Sequence, residues 1–140
     1  MKQGKALGID FGEKRTGLAI TDSLRIIASP LETVDTSALK DRIKQLVLTE
    51  KITTIVLGET FHADGSLSTI GEKQRAFQLW LEKNLPDTEV VRIDERNSSK
   101  EAQQALIFGG MKKMQRQKKE NLDKVSAAII LQRFLDLYHQ

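Results

Sequence analysis

Three carboxylates in this chain stand where the sequence pattern changes rather than in the middle of a polar surface. Asp10 ends an alternating run that begins at Lys5, with Leu7 and Ile9 on one side and Ala6, Gly8 and Asp10 on the other. Gly8 precedes Asp10 and Gly12 follows it, so the backbone there is open to close approach. Glu95 continues the row of Val91 and Ile93, while Val90, Arg92 and Asp94 form the other row. Asp123 is followed at helical spacing by Ala127, Ile130, Phe134 and Leu137, so it heads an apolar stripe. Each also has a plain structural reading. Asp10 can start a turn, Asp94-Glu95-Arg96 can solvate a strand exit, and Asp123 can favour a helix dipole. Brought together, the three would repel one another unless a cation neutralised them. Hard oxygen donors suit Mg²⁺ or Mn²⁺, and Mg²⁺ keeps waters and bridges substrate phosphates. A pair of such ions ~3.5–4 Å apart can clamp the attacking and leaving oxygens of a phosphodiester displacement.

Whether the three meet depends on the elements that carry them. Lys5–Asp10 and Thr16–Thr21 read as two strands of a hairpin, and 26–34 as a third strand. Pro30 cannot donate to a ladder, which puts that third strand at an edge or gives it a bulge. Ser37 then opens a helix with Leu39, Ile43, Leu46 and Val47 on one face. Thr54–Gly58 is a continuous apolar strand of the buried parallel kind. A polar loop leads to a helix over 70–84, with Ala76, Phe77, Trp80 and Leu81 inward and Pro86 past its end. Glu89–Asp94 is a fifth strand, Ser99 caps a third helix that stops at Gly109-Gly110, and Asn121 opens a last helix to about Tyr138. A leading meander followed by alternating helices and strands predicts an α/β fold. It is a five-stranded mixed sheet, an antiparallel meander then parallel strands, flanked by helices.

The 140 residues fit one domain, 1–140, with 39% hydrophobic and 29% charged residues. The net charge of +3 is compatible with nucleic acid and does not demand it. There is no cysteine, which excludes disulfides and thiolate metal sites. No segment resembles a signal peptide's apolar region, and none approaches the ~18 apolar residues of a membrane span. The expected location is therefore the cytoplasm, with no membrane partner.

The motifs that carry these carboxylates resemble those of one family. Gly8-Ile9-Asp10-Phe11-Gly12-Glu13-Lys14-Arg15-Thr16-Gly17, Asp94-Glu95-Arg96-Asn97-Ser98-Ser99, and Lys119 with Asp123-Lys124-Val125-Ser126-Ala127-Ala128 are similar, in order, to three motifs of the YqgF family of ribonuclease H-like nucleases. Asp64-Gly65 matches an Asp-Gly pair in the loop after the fourth strand. The likeness spans nearly the whole chain. It departs at Gly58-Glu59-Thr60, which lacks the usual proline, and at Asn97, which replaces an apolar residue. The resemblance implies a ribonuclease H-like sheet on which Asp10, Glu95 and Asp123 converge as catalytic and metal-holding residues. It implies hydrolysis at the 5′ end of precursor 16S rRNA in ribosome biogenesis. The older inference for such proteins is resolution of four-way DNA (Holliday) junctions.

Basic residues flank the acidic ones. Lys112, Lys113, Arg116, Lys118 and Lys119 lie just before Asp123, after the Gly109-Gly110 break. A run of this kind is either a solvated loop or a phosphate-neutralising one. Lys14 and Arg15 follow Asp10 closely, and Arg96 either binds phosphate through its fork or orients Glu95. No aromatic residue interleaves the basic run, so base stacking is not indicated there. His62, in the polar loop, reads as a proton shuttle or an ordinary loop residue. The expected partners are precursor rRNA or branched DNA and the ribosomal small subunit, with the chain a monomer or weak homodimer. Two other readings compete. The Asp-x-Gly start also resembles the phosphate loop of actin-like kinases, which need two such domains and more chain than this. A non-catalytic RNA-binding assembly factor is the other, and it gives no reason for carboxylates beside phosphates.

Overall fold

The computed structural model describes residues 4–59, 69–94, 96, 101, 102 and 119–138. Lys5–Asp10 forms β1, Arg15–Thr21 forms β2 and Ala28–Asp35 forms β3. Ile52–Glu59 is β4 and Glu89–Asp94 is β5. These strands make one mixed sheet in the order β3-β2-β1-β4-β5. The first three strands are antiparallel neighbours, and β4 and β5 add in parallel beside β1. This is the sheet the sequence pattern predicts. β3 lies at its edge, and the ladder shifts where Ala19 faces Pro30, so the proline brings both expected features at once.

Helices cover both faces. The helices α1 (Leu39–Thr49) and α2 (Thr69–Asn84) pack Ile43, Leu46, Phe77 and Leu81 onto Leu7, Ile9, Ile55 and Leu57. The opposite face carries α3 (Lys119–Tyr138), whose Ala127, Ile130, Leu131, Phe134 and Leu135 pack on Ala6, Ala19, Val56 and Ile93. The period-2 alternation of β1 is thus resolved. Leu7 and Ile9 serve the α1/α2 core, and Ala6 and Gly8 serve the α3 core. Val91 and Ile93 belong with α3 while Val90 packs with the other core, as the two rows of β5 predict. No helix among the described residues is long and apolar enough to cross a membrane.

Several boundaries differ from the sequence expectation. β3 begins at Ala28, and Ile26 and Ile27 are exposed in the preceding turn. There the Asp22 carboxylate accepts the N–H groups of both residues, and Arg25 adopts a left-handed backbone with φ 55°. Ser37 does not cap α1. Thr36–Ala38 forms a 3₁₀ turn first, because the Thr36 N–H donates to Lys14 O at 2.9 Å and ties the chain down before the helix begins. The buried stripe of α2 runs through Gly71, Gln74, Phe77 and Leu81, which leaves Ala76 exposed. α3 starts at Lys119 rather than Asn121, and its last turn runs past the sheet, so Leu137 is exposed rather than buried. Of the helix expected from Ser99, only Glu101 and Ala102 are described, and both are helical. The rest of it, His62 and Asp64-Gly65 lie outside the described residues.

Candidate active site

Close packing at two glycines decides where α3 sits. A Cβ on Gly8 would stand 2.8 Å from Leu131 Cβ and 2.9 Å from Ala127 O. A Cβ on Gly17 would stand 1.9 Å from the Asp123 carbonyl oxygen. Only a residue without a side chain permits either contact. Ala6 and Ala19 continue the same row of small residues, so the helix backbone lies directly on β1 and β2. Gly17 is the register partner of Asp10. Directly opposed residues of an antiparallel pair lie about 4.5–5.5 Å apart. The first turns of α3 therefore set Asp123 over the strand neighbour of Asp10, on the face toward which the alternation of β1 turns Asp10. Both carboxylates are partly buried.

The turn between β1 and β2 is fixed by a closed ring of hydrogen bonds. Thr36 Oγ1 donates to Gly12 O at 2.7 Å, and Thr16 Oγ1 lies 2.9 Å from Thr36 Oγ1. The Gly12 N–H donates back to Thr16 Oγ1 at 3.4 Å. With Thr36 donating to Gly12, Thr16 must be the donor to Thr36. A Cβ on Gly12 would meet Arg15 O at 2.3 Å, so this turn too needs glycine. Thr16, fully buried, and Thr36 are positioning residues that sequence reading missed. Thr16 lies inside the first motif and carried the only available signal; Thr36 gave none, because its partner is 24 residues away.

A polar recess opens over this turn, lined by Gly12, Glu13, Lys14, Arg15 and Asp123. Arg15 Nε lies 3.9 Å from Asp123 Oδ2. Lys14 is exposed at the rim. Glu13 pairs with Lys73 of α2, whose ammonium holds the Glu13 carboxyl below the usual carboxylate range by hydrogen bonding and charge. The recess thus joins Asp123 to the two cations that follow Asp10.

At the end of β5 the Arg96 fork grips Asp94. The Arg96 Nε donates to Asp94 Oδ2 at 2.7 Å, Nη2 lies 2.6 Å from the same oxygen, and the backbone N–H donates to Oδ1 at 2.9 Å. These bonds push the Asp94 carboxyl below its ordinary range and the Arg96 guanidinium above its own. Arg96 is therefore engaged by Asp94. Arg133 of α3 donates to Asp94 O at 2.8 Å and so ties the strand end to the helix. Glu95, Lys112, Lys113, Arg116 and Lys118 lie outside the described residues, and Lys119 is described only as the first residue of α3. Among the described residues no three acidic or histidine side chains form a cluster able to hold a metal ion. Asp10 and Asp123 are hard oxygen donors on one sheet face, which fits part of a site for a hard divalent cation.

Comparison with known proteins identifies the family and the fold. Residues 4–137 match the model of the family described as RuvX, Holliday junction resolvase. A protein of Flavobacterium johnsoniae named "Putative pre-16S rRNA nuclease" is 40% identical over 131 residues, covering 94% of this chain and 95% of its own. A protein of the same name from Amoebophilus asiaticus is 42% identical over 135 residues, covering 96% of each chain. Among solved structures, Thermus thermophilus RuvC bound to a Holliday junction substrate superposes with a TM-score of 0.58 at 16% identity, over 96% of this chain and 95% of that one. The fowlpox virus resolvase bound to junction DNA gives 0.59 at 13% identity, over 97% and 99%. These two likenesses establish the ribonuclease H-like fold. The family match over almost the whole length and the relatives at about 40% identity establish more: the chain belongs to the RuvX family of Holliday junction resolvases, and it is a nuclease.

Proposed function

We propose that this nuclease hydrolyses phosphodiester bonds at the 5′ end of precursor 16S rRNA, with Asp10, Glu95 and Asp123 holding Mg²⁺ or Mn²⁺. The observation that carries the reading is the seating of Asp123 on Gly17, the strand partner of Asp10. Glu95 is assigned to the set because Val91 and Ile93, its row in β5, lie on the α3 face where Asp10 and Asp123 lie. The metal ions, when bound, would activate water and stabilise the charge that develops on the phosphate. The chain's own residues do the rest. Asp10 and Asp123 are presented on rigid elements, the end of a strand and the start of a helix. The Gly12–Thr16–Thr36 ring keeps the turn after Asp10 from drifting. Lys14 and Arg15 supply positive charge at the recess, where a phosphate backbone would lie. Lys112, Lys113, Arg116, Lys118 and Lys119 precede Asp123 in the sequence and would extend that charge along the strand. The work is assigned to the cytoplasm, on precursor within or released from the small ribosomal subunit, by a monomer or weak homodimer of one domain.

Cleavage of a four-way DNA junction is the second reading. The family description and the junction-bound neighbours favour it. The two are separated by incubating the full chain and Mg²⁺ or Mn²⁺ with a precursor 16S 5′ fragment and with a four-way junction, side by side. Cleavage of the precursor is expected. Cleavage of the junction alone would make the protein a resolvase, and cleavage of neither, with tight RNA binding, would make it an assembly factor.

A further inference from the structure

On the sheet face opposite α3, an apolar recess of about 350 Å³ opens between α1 and α2, lined by Phe11, Leu39, Ala76 and Phe77 with Thr36, Lys40 and Lys73. Volumes of this order are those of small-molecule sites. Three aromatic rings run out from it. The Phe11 and Phe77 centroids are 5.2 Å apart, and Phe77 stacks on Trp80 at 5.9 Å with 9° between the planes. Lys40 and Lys44 hold their ammonium groups 5.2 and 5.4 Å from the Trp80 ring centroid. Lys73, shared with Glu13, stands on the other side. Phe11 follows Asp10 directly, so this recess and the carboxylate site share the end of β1 from opposite faces of the sheet.

We propose that the recess takes one unpaired base of the nucleic-acid strand being cut, with the adjoining phosphate held by Lys40 and Lys73. This rests on the nuclease reading above and adds to it a preference for substrates with an unstacked nucleotide near the cleavage point. An apolar floor with aromatic edges fits a base of any sequence, and lysines at its mouth fit the phosphate that must accompany it. Charge complementarity selects the occupant: Lys73 is paired with Glu13, but Lys40 and Lys44 add positive charge beside the aromatic edge, from which an apolar side chain of a protein partner would gain nothing. A strand crossing the end of β1 would then present a phosphate on the Asp10 side and its neighbouring base on the Phe11 side.

The test uses the full chain, its sole tryptophan Trp80 as reporter, and Ca²⁺ in place of the active cation to hold back cleavage. Unlabelled hexamers of uridylate and of deoxythymidylate are titrated against a blunt duplex, following Trp80 emission and affinity. Ala76→Phe fills the recess from an exposed helix position while leaving Trp80 the sole tryptophan, and Lys40→Gln removes rim charge without touching the core. The filled-recess variant should bind the hexamers about tenfold or more weakly, as expected when a base no longer stacks. Lys40→Gln should weaken them with a shallower salt dependence, as expected when a phosphate contact is lost. Both should bind the duplex as the wild type does, with an unchanged thermal midpoint. Unchanged hexamer affinity in both variants would overturn the proposal. So would a change in sedimentation of Ala76→Phe with hexamer binding intact, which would assign the recess to a protein contact. Failure of the wild type to cleave any substrate while the hexamer effect persists would sink the nuclease reading and leave the pocket. Normal cleavage with no hexamer effect would do the reverse.

Discussion

Asp94 and Glu95 are adjacent carboxylates, and their environments part their roles. Asp94 is held by Arg96 through two side-chain contacts and one backbone bond, and its alternation places it off the α3 face. Glu95→Gln should therefore abolish metal-dependent cleavage, while Asp94→Asn should reduce it by less than about tenfold, in a single-turnover assay. The opposite ranking would reverse the phase assigned to the end of β5. Arg96 also sets a pH dependence. Its hydrogen bonds and charge lower the folded-state pKa of Asp94 below the ordinary 3.8. A depressed carboxylate stabilises the fold above its unfolded pKa and loses that contribution as pH falls through the folded value. The window therefore lies below about pH 4, and the effect on stability is small because Asp94 is exposed. Carboxyl-carbon NMR should find the Asp94 midpoint below 3.8, and Arg96→Gln should return it toward that value. A midpoint that does not move in Arg96→Gln would mean that the ion pair does not form in solution. Sequence alone placed Arg96 on phosphate or on Glu95 and missed Asp94, because an i to i+2 grip at a strand exit depends on how the chain turns there.

The glycines are legible as elements rather than as residues. In the sequence, the small residues Gly8 and Ala6 leave room for another element to pack close to β1, and α3 does. Gly17 gave no such signal on its own, since a glycine within a strand reads equally as a weak point or a bulge. Its reason is the Asp123 carbonyl 1.9 Å from where its Cβ would be. Gly17→Ala cannot be absorbed by a flexible side chain, because the obstacle is backbone. It should cost about 2–3 kcal/mol in urea denaturation, at the upper end of overpacking effects. It should also shift the start of α3 away from β2 and reduce cleavage more than the stability loss explains. Full activity in a destabilised Gly17→Ala protein would show that the seat of Asp123 does not matter to the site. The strands and the helical stripes were readable because each buries one periodic face. The ends were not: Leu137 keeps the helical period and is exposed, because the sheet it would pack on has run out. Ser37 has the right chemistry for a cap, but the Thr36 bond to Lys14 holds that segment in a 3₁₀ turn.

At the scale of the molecule, the order of elements sufficed to predict the sheet, since a meander followed by helix-strand alternation admits few topologies. The acidic residues were legible as lying at the ends of elements, and their convergence was only what the family resemblance implied. The aromatic and lysine cluster was legible only in part: Phe77 and Trp80 share one helix face in the sequence pattern, but Phe11 and the pair Lys40 and Lys44 join them from separate parts of the chain. The basic run before α3 was legible only as charge. Replacing Lys112, Lys113, Arg116 and Lys118 with Ser should lower the slope of log affinity against log salt by about 1.5, the change expected if roughly two of these side chains neutralise phosphates. Anisotropy titrations at several salt concentrations would read it, and an unchanged slope would make the run a solvated surface. The central claim is that Asp10 and Asp123, far apart in sequence, hold the same cation. Manganese titration followed by the electron-paramagnetic-resonance signal of the free ion tests it without substrate or turnover. The wild type should show a tight Mn²⁺ site, and Asp10→Asn and Asp123→Asn should each lose that same site while keeping the wild-type circular dichroism and thermal midpoint. Both variants binding Mn²⁺ with the wild-type stoichiometry and affinity would contradict the account.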